Sequence, residues 1–326
     1  MKTTRSRIAS CLALVVAGTT AAAAPPGADA EPRRAHSLYD GFGGGAAAYD
    51  SKWLAYFSLE RQFGATGLPA FSRDRLRLRA QPFRGWMDDT CVPAFTPCVN
   101  GDHIKYGAFS RRTFSIPRRG SIAVSARIRA RASGIRRGYV VAATGRRLRE
   151  AHQAAAVLQL FEPGAFLALD WFVSGHQAIP KIERTPAPVG VGLDRAFTQF
   201  LPAVRIEPRR FHRFSIRYTR GRAPRDKVEW MVDRRVVAVV RDAGVPLDVQ
   251  DPDRYRGIVF PSFGPGEPVA ASLSGFVVGH GIYSFVDDFP FFPSYPQFVS
   301  IPREQRIFGQ GIDALFDDVR IAKVTG

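Results

Sequence analysis

Alternation with a period of two limits this chain more than any other feature of its sequence. From Arg75 to Arg79, arginine at 75, 77 and 79 takes turns with Leu76 and Leu78. Arg127, Arg129 and Arg131 alternate in the same way with Ile128 and Ala130. His212, Phe214, Ile216 and Tyr218 alternate with Arg213, Ser215, Arg217 and Thr219. Successive side chains of a strand point to opposite faces, so these segments read as antiparallel strands with one face packed and the other solvated. Two further runs, Ala156 to Phe161 and Phe166 to Val173, are apolar on both sides and read as central strands. Lys227 to Val232, the pair Asp233-Arg234 and Arg235 to Val240 predict a hairpin, although glycine would suit position 234 better. Arg146 to Ala155 is the one stretch with a helical reading. With 30 Gly and 24 Pro breaking the remainder into short pieces, the fold class expected is all-β, a two-sheet antiparallel β-sandwich.

The chain has 326 residues and a formal charge of +17, with 45% apolar residues, enough for a real core. Lys2, Arg5 and Arg7, the apolar run from Ile8 to Ala24, and Ala28-Asp29-Ala30 have the form of a secretory signal. Residues 1–30 are therefore expected to be a signal peptide and 31–326 a single secreted, extracellular domain. No segment is read as a transmembrane span. Removing Lys2, Arg5, Arg7 and Asp29 takes the charge from +17 to +15. Only six basic residues are lysine, so the surface is an arginine surface. Export argues against a nucleic-acid partner and for an acidic polysaccharide, a teichoic-type polymer or another anionic surface. Cys91 and Cys98 bracket a short loop with two prolines. In an oxidising compartment they are expected to form a disulfide, contributing about 2.5 kcal/mol by loop entropy.

Leu38-Tyr39-Asp40-Gly41-Phe42, with Lys52-Trp53 after it, resembles the opening strand of concanavalin A-like glucanase and lectin domains. Val228 to Asp233 resembles their W-x-V-D-G hairpin, and Phe316 to Ile321 their closing strand. More closely, the chain resembles an uncharacterised family of secreted bacterial proteins of this fold. The segments carrying that resemblance are Asp170-Trp171-Phe172, Glu183-Arg184, Gly279-His280-Gly281 and residues 299–311. The resemblance implies a concanavalin A-like jelly roll with a groove on its concave face. It implies no activity.

Glycosidases of that fold carry Glu-x-Asp-x-x-Glu on one strand, and this chain lacks the spacing. Asp170 and Glu183 are the substitute catalytic candidates. A turn through Gly175 to Ala178 would set them opposite each other, close enough to raise one pKa; a one-residue slip would pair Asp170 with Arg184 instead. Glu229 and Asp233 share a strand face, with Asp233 read as a turn residue. The ligand-binding candidates are Asp170, Glu183, Arg184, His280, Tyr283 and Tyr295. His280 is placed in a glycine turn, and the two tyrosines in the aromatic segment 276–298. Arg75, Arg77, Arg79, Arg127, Arg129 and Arg131 would form a cationic face if their strands are neighbours. No cofactor is expected beyond a structural Ca²⁺ at Asp317, which the resemblance allows. The leading expectation is a secreted protein that binds an extracellular or cell-wall glycan, neutral or acidic, without cleaving it. The alternatives are a glycoside hydrolase or polysaccharide lyase with an atypical carboxylate pair, and an envelope-associated adhesion protein that binds anionic polymers through its arginine faces.

Overall fold

The computed structural model describes residues 35–58, 69–80, 104–141, 146–185, 190–221, 225–255, 262–284 and 307–325. All lie in one compact unit, Arg34–Gly326. Residues 1–30, Cys91, Cys98 and Tyr295, and with them the signal, disulfide and Tyr295 expectations, fall outside the described residues.

Two antiparallel sheets form the sandwich; strands are numbered in chain order. Sheet A runs β17 (Arg235–Arg241), β16 (Asp226–Val232), β15 (His212–Arg220), β7 (Gly120–Ser133), β19 (Gly311–Thr325), β4 (Leu76–Ala80) and β3 (Ala70–Phe71). In the same sheet β1 (Ala35–Asp40) also pairs with β19. Sheet B runs β13 (Phe197–Phe200), β12 (Gln177–Arg184), β11 (Leu167–Val173), β10 (Ala155–Glu162), β18 (Gly275–Tyr283), β5 (Ile104–Ser110) and β2 (Trp53–Ser58). Alongside these, β14 (Val204–Arg205) pairs with β12 and β6 (Phe114–Ser115) with β18. A small ribbon joins β8 (Val140–Val141) to β9 (Arg146–Arg147).

The alternating segments fold as strands because each has one apolar face to bury. Leu76, Leu78, Ile128, Phe214, Ile216 and Tyr218 all point into the space between the sheets and are almost wholly buried. Each such side chain contributes about 1.5–3 kcal/mol on burial. Trp53, Trp171 and Trp230 are the largest side chains in that core. Two of them tie the layers reciprocally. Trp171 of sheet B donates its indole N–H to the Ser215 carbonyl of sheet A at 2.9 Å, and Trp230 of sheet A donates to the Asp170 carbonyl of sheet B at 2.9 Å.

The hairpin read at 227–240 is present as β16 and β17. Asp233 and Arg234 both hold positive φ, 48° and 72°, the primed turn whose twist matches its strands. The helical reading of Arg146 to Ala155 is corrected. Only Glu150–Gln153 (α2) is helical, and Ala155 already begins β10, since an apolar edge there pairs with β18 at Tyr283. A helix that the periodicity did not single out, α1 (Gly45–Lys52), precedes β2 and buries Tyr49. In β19 a bulge at Asp317 and Asp318, with Asp318 at φ 54°, lets one strand pair first with β4 and then with β1.

Candidate functional site

Asp170, Lys181 and Glu183 meet on the face of sheet B turned away from sheet A. Neither register expected from sequence occurs. The turn uses only Gly175 and His176, closed by Ser174 N–H donating to the Gln177 carbonyl at 2.9 Å, so Asp170 stands opposite Lys181 and Ala168 opposite Glu183. Glu150 of α2 sets this tight tip by accepting from Gly175 N–H at 2.7 Å. Turn length determines register, and a turn shorter by two residues moves the partner of Asp170 from Glu183 to Lys181. Arg184 therefore has no contact with Asp170. It is buried on the inner side, where it donates to the Ala165 carbonyl at 3.1 Å and to Glu267 at 3.0 Å.

The Lys181 ammonium lies 2.7 Å from Asp170 Oδ2 and also ion-pairs with Glu183. All three side chains are buried, with exposures of 0%, 3% and 4% for Asp170, Lys181 and Glu183. Burial pushes the Asp170 carboxyl up to about 6 against the pull of Lys181. Burial also disfavours the charged lysine, but the two carboxylates outweigh it and hold the ammonium above its ordinary value. Sequence reasoning missed Lys181, although the signal was present: Lys181 and Glu183 are two apart on a strand and must share a face.

The rest of this face is a second small core. Val157, Phe172, Ile179, Phe200 and Tyr283 pack under Leu148, Ala151 and Ile307. Tyr283 is 7% exposed, with its ring centroid 5.9 Å from that of Phe172. Every one of these side chains is buried.

His280 corrects another expectation. It lies in the middle of β18, not in a turn, and points into the main core, ringed by Phe42, Tyr49, Trp53, Tyr106 and Phe316. Its Nε2 is 2.6 Å from the Tyr49 hydroxyl. Gly279 and Gly281 flank it because a Cβ there would come within 2.8 Å of the Phe109 ring or 2.3 Å of the Tyr106 carbonyl. Burial pushes the His280 imidazole down to about 3; burial and Arg149 do the same to His152.

A pH dependence of stability follows. Between about pH 6.5 and 3 the unfolded chain protonates these two histidines while the folded chain does not, so acidification favours unfolding. Asp170 acts in the opposite sense: between about pH 3.8 and 6 the folded chain takes up its proton first, so its contribution is lost as pH rises through 6. Asp226, also pushed up by burial, acts with Asp170. Glu229, Asp233, Glu267 and Asp318 are held low by hydrogen bonds and basic neighbours and lose stability on acidification together with the two histidines, so the urea midpoint is expected to fall from pH 7 to pH 4. Imidazole NMR resonances of His152 and His280 should stay at their neutral positions from pH 8 to 5; titration of either near 6.5 would refute its burial as neutral imidazole.

The arginine ladders share one face of sheet A, with β19 between them. Asp313 stands opposite Arg79 on one side and Arg131 on the other; Leu315 stands opposite Arg77 and Arg129. Arg77 donates from Nε and Nη2, one edge of its guanidinium, to the two carboxylate oxygens of Asp313. Asp317 accepts from Arg127 at 3.3 Å and lies 3.9 Å from Arg75. These partners do not fit Ca²⁺, which takes six to eight oxygens. Among the described residues no group of three or more His, Cys, Asp or Glu is placed to hold a metal. Glu229 is likewise engaged, by Arg217 and Lys227, and Asp233 by His212 and the Arg213 N–H.

Strand pairing defines a two-sheet antiparallel β-sandwich. The chain belongs to the DUF6081 family, a family of unknown function, whose profile matches residues 41–325. No curated protein matches it. Among solved structures it is similar to an endo-1,3-β-glucanase from Streptomyces sioyaensis, at 12% identity and TM-score 0.45, covering 93% of this chain and 100% of that one. A prokaryotic β-1,3-1,4-glucanase (lichenase) from a mouse hindgut metagenome is 10% identical, with TM-score 0.38 and coverage of 89% and 98%. The carbohydrate recognition domain of Emp47p is 8% identical, with TM-score 0.38 and coverage of 84% and 89%. No helix among the described residues is long and apolar enough to cross a membrane.

Proposed function

We propose that this protein is an exported β-sandwich that binds an extracellular glycan and does not cleave it. The observation that carries the second half is Lys181. Glycoside hydrolysis by a carboxyl pair needs two groups flanking an accessible bond, one protonated and one free to attack or to activate water. Here both candidate carboxylates are tied to one ammonium and buried, leaving no room for a sugar between them. The binding half is supported by where the lectin and glucanase markers fall. Leu38 to Asp40 lies on β1, Val228 to Asp233 makes the β16–β17 hairpin, and Phe316 to Ile321 lies on β19, all in one sheet.

The test pairs turnover with retention. Neutral and acidic polysaccharides incubated with the full chain should release no reducing ends and no unsaturated products above the blank. In affinity electrophoresis, at least one of them should retard the protein. Product formation abolished by Glu183→Gln would overturn the non-catalytic reading. Export is tested on the mature protein, whose first residue is expected to be Glu31.

A further inference from the structure

A recess of about 580 Å³ opens on the outer face of sheet A, and its lining is dominated by one residue type. Arg73, Arg75, Arg77, Arg129, Arg131 and Arg209 contribute to it, against a single acid, Asp313. We infer that this recess is the binding site for a carboxylate-bearing polysaccharide. The inference rests on the reading of the chain as a glycan-binding protein and names the ligand class and the place.

The first reason is placement. Alternate residues of a strand are about 6.8 Å apart, and strands two positions apart are separated by about 9.6 Å. The ladders of β4 and β7 therefore present guanidinium groups as a grid, suited to a chain whose acid groups recur rather than to one small ion. Among the described residues Arg79, Arg129 and Arg131 make no ion pair; Asp313, the cross-strand neighbour of Arg79 and Arg131, is paired with Arg77, so the grid is left short of negative charge.

The second reason is that the arginines are held in place. The guanidinium groups of Arg75, Arg127 and Arg129 lie over the Phe211 ring at 4.9, 5.2 and 5.2 Å from its centroid. A guanidinium stacked on a ring is pre-organised and keeps its N–H edge for an acceptor.

The third reason is that two separate loops each bring an arginine to the recess. Arg73 lies in the two-residue turn between β3 and β4, closed by Ser72 and Arg75, with φ at 48°; Arg209 lies before β15, with φ at 66°. Glycine or asparagine would sit in these left-handed positions with less strain, yet both carry arginines that line the recess. At Arg73 the geometry is that of a primed hairpin turn shared with Asp74, as at Asp233-Arg234, so what bears on the recess is that both loops place an arginine at its edge.

The ligand class follows from what the site already holds. Asp313 is a carboxylate gripped at both oxygens by Arg77, the planar fork-to-fork geometry that a uronate would reproduce. A base-stacking ligand is disfavoured, because guanidinium groups cover the Phe211 ring. A membrane surface is disfavoured because the arginines line a recess and none of the exposed large apolar side chains belongs to its lining.

The experiment uses the full mature chain and four probes: polygalacturonate, the same polymer with its carboxyl groups reduced, a single-stranded oligonucleotide and anionic phospholipid vesicles. Polygalacturonate is expected to bind at low salt, with the reduced polymer at least tenfold weaker. Removing Arg129 and Arg131 together should weaken binding at least tenfold and reduce the slope of log affinity against log salt by about two, one per lost contact. Arg73→Gly with Arg209→Gly keeps the fold falsifiable: its urea midpoint should be unchanged or higher, while polygalacturonate affinity falls at least threefold. Arg235→Ala with Arg241→Ala removes the same charge from the far edge of sheet A and should leave affinity unchanged. Equal losses in that far-edge variant would mean diffuse charge and overturn the site. Equal or tighter binding of oligonucleotide or vesicles would overturn the ligand class. Retention by neutral polysaccharides alone would overturn the recess and leave the binding reading standing, whereas no retention by any polysaccharide would overturn both.

Discussion

Replacing Lys181 with methionine is expected to destabilise the protein by about 3–5 kcal/mol, the usual penalty for removing one partner of a buried ion pair. Methionine roughly matches the length of the lysine stem, so little of the loss comes from packing. Asp170 and Glu183 would be left charged on one buried face without the ammonium that lies between them. The loss should depend on pH with a definite sign. Without Lys181 the Asp170 carboxyl, already pushed up by burial, loses the partner that pulls it down, so the folded chain binds its proton more readily still and stability falls as pH rises. The penalty should therefore be larger at pH 7.5 than at pH 5. The triple replacement Asp170→Leu, Lys181→Met, Glu183→Leu removes every buried charge of the cluster and should lie near the parent stability or above it. Urea midpoints for the three proteins at the two pH values check both statements. A single-variant loss under about 1 kcal/mol would mean that the cluster is not electrostatically coupled.

Trp230→Ala is expected to cost about 3–5 kcal/mol, because it empties the centre of the sandwich and the sheets cannot close over the cavity. Trp230→Phe separates the two contributions of the side chain. It keeps most of the ring but loses the indole N–H that reaches Asp170 O in the opposite sheet. Its cost should be about 1–2 kcal/mol, the loss of one buried hydrogen bond together with a small void. Chemical unfolding followed by far-UV circular dichroism measures both without relying on the tryptophan signal. If the phenylalanine variant were as damaged as the alanine variant, the inter-sheet bond rather than the packing would hold the layers together.

The carboxylate cluster and the arginine recess show how differently two parts of one fold can be read. Alternation alone assigned Arg77 and Arg79 to one face of β4, and Arg129 and Arg131 to one face of β7, since a strand has only two faces. That both faces belong to one sheet depends on β19 threading between them, and β19 is about 180 residues further along the chain than β7. The pairing of Asp170 was open for a related reason. Gly175-His176-Gln177-Ala178 accommodates several turns, and the one adopted is stabilised by Glu150, a residue 25 positions away. His280 shows a third limit. Glycine on both sides suggested a turn, whereas the glycines answer to Phe109 and Tyr106 on a neighbouring strand.

What the sequence determined by itself was therefore local: the strands, the faces of each strand, the hairpin at Asp233-Arg234, and the absence of a Glu-x-Asp-x-x-Glu strand. These follow from period two and turn chemistry, which operate over a few residues. Only the tertiary structure decided that Lys181 closes the carboxylates, that His280 is core, and that two arginine ladders face one recess. Each of those outcomes depends on which strands become neighbours. That choice is made by burying a shared apolar face across long sequence separations, and neither spacing nor composition records it.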